Sequence, residues 1–209
     1  MICNVIKQRR QETHALHGVL KGVDSTCIIK PPLDVSIEGG DVLLTKEYLF
    51  LGYTNNNDFK INTVHRTNQQ AIRFLQMQFP DYPIKAFELC KSDHPEKNVL
   101  HLDCCFQPIG NHMAILYPVG FKNKKDINFL IKYYGEDRII FVDQQEMYHM
   151  CANVFSISDN VIVSEKTFVR LNAVLRKKGF VVEEVAFSEV AKMGGLFRCA
   201  TLPLVRSDP

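Results

Sequence analysis

At 209 residues with 46% hydrophobic content, the chain is long enough to bury one sizeable core, and a single domain over residues 1–209 is expected. Its formal charge of +2 comes from 25 basic and 23 acidic residues interspersed along the sequence, which excludes the concentrated basic footprint of a nucleic-acid binder. No stretch approaches the apolar length that crosses a bilayer, and Met1 to Arg10 lacks a signal-type apolar core, so no membrane partner and a cytoplasmic location are expected.

The first elements read as a short strand, a helix from about Arg10 to Leu20 and a strand at Ser25 to Lys30. From Glu38 the pattern becomes a repeat. Asp41 to Thr45 and Tyr48 to Gly52, joined at Lys46-Glu47, read as a hairpin. A helix from about Asn68 carries Ala71, Ile72, Leu75 and Phe79 on one face and stops at Pro80; Ile84 to Leu89 follows as a strand. The same order recurs with strands at His101 to Phe106 and His112 to Tyr117, a helix near Asp126 to Tyr134, and a strand at Arg138 to Val142. Before that second helix, Phe121 to Lys125 reads as a solvated loop. A third copy pairs Asn153-Val154-Phe155 with Val161-Ile162-Val163. Its helix has Ser164 as the expected N-cap, an apolar stripe of Phe168, Leu171, Val174 and Leu175, and a stop at Lys177-Lys178-Gly179 before the strand Phe180-Val181-Val182. Three successive ββαβ units, each burying one helix face, point to an α+β radial or stacked repeat rather than a doubly wound sheet.

Seven cysteines are an odd number, with Cys104 and Cys105 adjacent and no Cys-x-x-Cys, a pattern that suits reduced thiols. Cys104, Cys105, His101, His112 and His94 lack the C-x₂₋₄-C spacing of zinc sites, and adjacent cysteines on a strand would face opposite ways, so no metal is expected. One thiol stands apart. Cys199 follows Gly194-Gly195-Leu196-Phe197-Arg198 and precedes Ala200-Thr201-Leu202-Pro203, on what reads as a short apolar strand.

Cys199 combines with His101-Leu102-Asp103 and Glu38-Gly39-Gly40-Asp41 into a set suited to guanidinium chemistry. A guanidinium is a planar, delocalised cation whose carbon accepts a nucleophile poorly unless carboxylates hold it and offset its charge. A thiolate is the apt attacker, and the departing amine needs a proton from an acid that can later activate water. Residues two apart on a strand share a face, so His101 and Asp103 would project together. Gly39, Gly40, Gly194 and Gly195 would permit close backbone approach beside Glu38 and Cys199.

With these stretches in order, the chain resembles the guanidino-group-modifying superfamily, the penteins, which includes arginine deiminases, dimethylarginine dimethylaminohydrolases and amidinotransferases. The resemblance rests on Ile37-Glu38-Gly39-Gly40-Asp41-Val42-Leu43, Arg66-Thr67-Asn68, His101 to Phe106, and Gly194-Gly195 through Cys199 to Pro203. It implies an α/β-propeller of ββαβ modules that works without a cofactor. By motif, Cys199 would be the nucleophile forming a thiouronium-type intermediate, and His101 the general acid and then base. Glu38 and Asp103 would hold the guanidinium nitrogens, and Arg66 would grip the α-carboxylate of an amino-acid substrate. Asp41, the second acid of its motif, would stand behind the substrate contact.

The sequence departs from that family in two places. Relatives carry a further N-terminal module with an acid that contacts substrate, whereas the opening Asn4 to Glu12 is similar to the region just downstream of it, so a propeller incomplete on its N-terminal side is expected. The insert Thr54 to His65 reads as a loop before Arg66, where relatives have a tight connection. The function expected is hydrolysis of a guanidino C–N bond of arginine or a methylated arginine. Amidino transfer to an amine, and a catalytically incomplete binding protein, are the alternatives. A cysteine hydrolase acting on peptides or esters fits worse, because its acyl site needs an oxyanion hole rather than carboxylates. The partner implied is a small guanidino substrate, and a homo-oligomer in which a second copy fills the unpaired sheet edge stays open.

Overall fold

A computed structural model of the chain describes residues 5, 11, 14–15, 18, 20–55, 57 and 65–203. Most of the helix expected over Arg10 to Leu20, and most of the insert between Thr54 and His65, lie outside the described residues. The chain divides into two compact units, Met1–Leu102 with Gly120–Asn123, and Asp103–Val119 with Lys124–Pro209. No helix among the described residues is long and apolar enough to cross a membrane.

The first unit holds one ββαβ module: β1 (Val42–Leu44), β2 (Leu49–Tyr53), α1 (Gln70–Gln78) and β3 (Ile84–Glu88). β1 runs antiparallel to β2 with Val42 opposite Leu51, and β3 joins β2 in parallel with Leu49 opposite Ile84. The hairpin closes through Thr45, whose Oγ1 donates to the Tyr48 carbonyl at 2.9 Å and accepts from the Tyr48 N–H at 3.0 Å. The parallel pair needs a crossover, which α1 supplies. Because the central strand is covered on both faces, its apolar residues run without alternation. Leu49 and Leu51 pack with Ala71, Phe74 and Leu75 of α1 and with Val35 and Ile37. Phe50 faces the other way, 5.4 Å from Phe87 between ring centres, and Phe87 meets Phe121 edge-on at 5.5 Å. Each such buried side chain contributes about 1.5–3 kcal/mol.

The second unit repeats the module twice. β4 (Phe106–Ile109), β5 (Met113–Leu116), α3 (Lys124–Tyr134) and β6 (Ile139–Phe141) form one copy, preceded by the short α2 (Leu102–Cys105). β7 (Phe155–Ser156), β8 (Val161–Glu165), α5 (Val169–Lys177) and β9 (Val181–Val185) form the other, with α4 (Gln144–Tyr148) before it and α6 (Ser188–Ala191) after it. In both copies the first two strands are antiparallel and the third joins in parallel. The ββαβ repeat read from the sequence is therefore present three times among the described residues.

Four local expectations are corrected. Ser25–Cys27 is a 3₁₀ turn rather than a strand, because Asp24 Oδ1 accepts from both the N–H and the hydroxyl of Thr26, at 2.9 and 2.8 Å. His101 to Phe106 is not one strand: residues 102–105 form α2, and β4 begins only at Phe106. Ser164 is no N-cap but lies in β8, and α5 starts after Phe168 without a side-chain cap. Cys199 lies in a turn in which the Ala200 N–H donates to the Leu196 carbonyl at 2.9 Å, not on a strand.

Asp41 explains the second correction. It is buried, and its Oδ1 accepts from the Leu102 N–H at 2.8 Å, a bond that fixes the first residue of α2. Replacing Asp41 by alanine is expected to cost about 1–3 kcal/mol, because a buried N–H loses its acceptor. Thermal denaturation checks this, and a Tm unchanged from wild type would mean that Leu102 finds another partner.

Candidate active site

In the first unit the sequence brings three of the expected residues together. Glu38 sits just before the 3₁₀ turn Gly39–Asp41 that leads into β1, and it is 4% exposed. Its backbone N–H donates to Thr67 Oγ1 at 3.2 Å. Asn68 pins the segment ahead of it: Nδ2 donates to the Asp34 carbonyl at 2.8 Å and Oδ1 accepts from the Ser36 N–H at 3.2 Å. The Arg66-Thr67-Asn68 stretch thus holds Glu38 in place through the backbone.

The Glu38 carboxylate is 2.9 Å from His101 Nε2 through Oε2, and the same oxygen is 3.8 Å from Arg66 Nε. Gly40 lies against the imidazole, where a Cβ would fall 2.8 Å from His101 Cγ, so the ring takes the space that any other residue would fill. Lys91 orders the approach to His101 by donating to the carbonyls of Val99 and Leu100, at 2.7 and 2.6 Å. Arg66 turns toward Glu38 and donates from Nη1 to the His65 carbonyl at 3.0 Å. Asp41 is engaged with the Leu102 N–H.

The second unit carries the other two. Asp103 is fully buried on α2, and its Oδ2 lies 3.8 Å from Cys199 Sγ. Leu196 and Phe197 are buried and anchor the turn, with the Phe197 ring tilted against Phe187 at 4.8 Å between centres. Gly194, at φ +93°, and Gly195, where a Cβ would meet Cys199 Cβ at 2.9 Å, let the chain fold back onto the cysteine. The residue Cys199 is exposed, yet its thiol is pushed up to about 12, first by desolvation and then by the Asp103 charge. The Asn153 side chain and the Leu196 amide oppose that shift.

Asn153 is the residue that the sequence reading passed over as a functional group. It is fully buried, its Oδ1 accepts from the N–H groups of Leu196 and Cys199 at 3.3 and 3.2 Å, and its Nδ2 lies 3.3 Å from Cys199 Sγ. The repeat itself was the available signal. Glu38 stands just ahead of β1, Asp103 ahead of β4 and Asn153 ahead of β7, the same point of three modules.

A thiol at about 12 is ionised to roughly one part in 10⁵ at pH 7. Alkylation of Cys199 by neutral iodoacetamide is therefore expected to be slow at pH 7 and to rise about tenfold per pH unit up to about pH 11. A cationic amidine reagent is expected to react faster at pH 7, because its charge offsets Asp103 and favours the thiolate. Peptide-resolved mass spectrometry across pH 6–11 measures both rates as about a dozen points. A plateau in the neutral rate below pH 9 would contradict the geometry.

The arrangement thus offers a desolvated thiol beside a buried anion in one unit, and a carboxylate–imidazole pair in the other. The chain is 32% identical over 176 residues to the uncharacterised protein YkgA of Bacillus subtilis (strain 168), covering 84% of this chain and 54% of that protein. It is 29% identical over 208 residues to an arginine deiminase of Staphylococcus aureus (strain MRSA252), covering 83% of this chain and 48% of that protein. The chain spans about half the length of the curated relatives it matches. Among solved structures, the product-bound N-terminal domain of ArgZ, an arginine dihydrolase from the ornithine–ammonia cycle in cyanobacteria, superposes with a TM-score of 0.77 at 21% identity, over 96% of this chain and 68% of that one. SxtG, an amidinotransferase from Microseira wollei, does so with a TM-score of 0.74 at 19% identity, over 99% and 66%. These likenesses carry the fold, which is the pentein fold. The pattern that defines the eukaryotic N,N dimethylarginine dimethylhydrolases matches residues 7–206, and with nearly its whole length matched the chain belongs to that family.

Proposed function

We propose that the chain is a hydrolase of the guanidino C–N bond of arginine or a methylated arginine, acting through Cys199. The observation that carries this reading is the Cys199 thiol 3.8 Å from the fully buried Asp103 carboxylate. A buried carboxylate beside a desolvated thiol opposes ionisation, and a cation bound there would offset that charge and favour the thiolate. A guanidinium is such a cation, and its electrophilic carbon is what the thiolate attacks.

The chemistry follows in balanced steps. Substrate binding lowers the thiol pKa, and the proton leaves to solvent. The sulfur forms a bond to the guanidinium carbon, giving a tetrahedral adduct. His101, as acid, protonates the departing nitrogen; the C–N bond breaks, releasing ammonia or a methylated amine and leaving a thiouronium on Cys199. His101 then takes a proton from water, the hydroxide adds to the same carbon, and collapse breaks the S–C bond to return the thiolate, while the oxygen's proton leaves to solvent to give the ureido product. Glu38 and Asp103 hold the guanidinium nitrogens, and Arg66 meets the α-carboxylate. The family match and the Glu38–His101 contact at 2.9 Å support these assignments.

The test is incubation with arginine, monomethylarginine and dimethylarginine in ¹⁸O-labelled water. A ureido product carrying one labelled oxygen is the expected result. Absence of any ureido product from all three substrates would sink the reading, and amidine transfer to an added amine without labelled product would convert it to a transferase.

A further inference from the structure

We propose that Asn153 is a positioning residue for the Cys199 sulfur, folding the turn that carries it and donating a hydrogen bond that favours the thiolate. The inference rests on the reading of Cys199 as nucleophile. Its physical basis lies within the second unit.

The orientation of the Asn153 amide is determined by its partners. Two backbone N–H groups, of Leu196 and Cys199, converge on one side-chain atom, at 3.3 and 3.2 Å, and only the amide oxygen can accept from both. The NH₂ group must then point the other way, where its neighbours are Cys199 Sγ at 3.3 Å and the Asp103 carbonyl at 3.5 Å. Both are acceptors. The backbone adds a further tie, since the Arg198 N–H donates to the Asn153 carbonyl at 3.3 Å. One buried residue thus joins α2, the start of β7 and the cysteine turn.

The titratable group facing the sulfur is Asp103, which opposes a thiolate through its negative charge. Asn153 is the neutral donor set against it, and a charge-assisted N–H bond is stronger to a thiolate than to a thiol. A purely structural asparagine would need only its oxygen and the bond from its nitrogen to the Asp103 carbonyl. The amide nitrogen aimed at the sulfur is the part that bears on chemistry.

Two substitutions separate these parts. Asn153→Asp keeps the acceptor for Leu196 and Cys199 but removes the N–H donor and adds a charge. Asn153→Ala removes donor and acceptor together and adds no charge. For both, the alkylation rate of Cys199 by iodoacetamide is measured against pH on protein shown to be folded by circular dichroism, alongside kcat and KM for arginine. The expected result is an alkylation profile displaced to higher pH in both variants, by about one unit or more for Asn153→Asp, with kcat lowered at least tenfold and KM changed less. Profiles that overlay wild type would overturn the proposal. So would a displacement in Asn153→Asp alone, which would reduce the effect to an added charge. The alkylation readout does not depend on turnover, so a failure of the hydrolase reading, seen as full activity in Cys199→Ser, stays distinguishable from a failure of this one.

Discussion

Replacing Cys199 by serine is expected to lower guanidino turnover by about 10⁴-fold or more while leaving the fold intact. The substitution exchanges sulfur for oxygen at nearly constant volume, and the backbone N–H of residue 199 keeps its bond to Asn153 Oδ1. What changes is the attacker. A cation beside Asp103 can draw a thiol from about 12 into the range where a useful fraction is ionised, whereas an alcohol starts several units higher and stays protonated. Intact-mass analysis provides the second readout: a covalent adduct trapped by acid quench in wild type is expected to vanish in the variant. Turnover within about tenfold of wild type would place the nucleophile elsewhere in the chain.

Glu38→Gln is expected to reduce kcat/KM for a cationic guanidino substrate by about 10²–10³-fold. In the proposed reaction the carboxylate has two jobs, of which the amide can do only the first. It holds the His101 ring through Nε2 at 2.9 Å, and it places a full negative charge in a buried position where a guanidinium would lose water. Glutamine retains the volume, and the Glu38 N–H keeps Thr67 Oγ1, so the turn before β1 is expected to survive. Steady-state kinetics compared with the Tm separates the two outcomes. A fall of less than about threefold in kcat/KM with an unchanged Tm would remove Glu38 from substrate recognition.

The three modules were legible because each one repeats the same physical demand. An antiparallel pair with a tight turn, then a helix with one apolar face, then a strand returning in parallel, leaves a periodicity of two switching to about 3.6 and back. Ala71, Leu75, Leu171 and Leu175 were readable as inward-facing for that reason. The start of α4 was legible too but went unread: Asp143 and Glu146 form a capping box, with the Asp143 side chain accepting from the Glu146 N–H at 2.9 Å.

The failures share one cause. His101 to Phe106 and the Cys199 segment are short apolar runs, and such runs carry no periodicity that separates a strand from a helical turn. Their conformation was decided by partners far away in sequence, Asp41 for the start of α2 and Asn153 for the cysteine turn, each accepting backbone N–H groups from the segment. Ser164 was misassigned because a serine ahead of a helical pattern has the same local appearance whether the helix starts at once or five residues later.

What the sequence determined by itself is the inventory and its spacing: the acids, histidine and cysteine of guanidinium chemistry, and a ββαβ repeat whose apolar periodicity any observer can count. What only the tertiary structure decided is which buried polar groups meet. Asp41 meets Leu102, Glu38 takes His101 and Arg66 as neighbours, and Asn153 joins Cys199. Hydrogen bonds between residues some 40 to 60 positions apart leave no trace in local propensity, because neither partner's neighbouring sequence encodes the other.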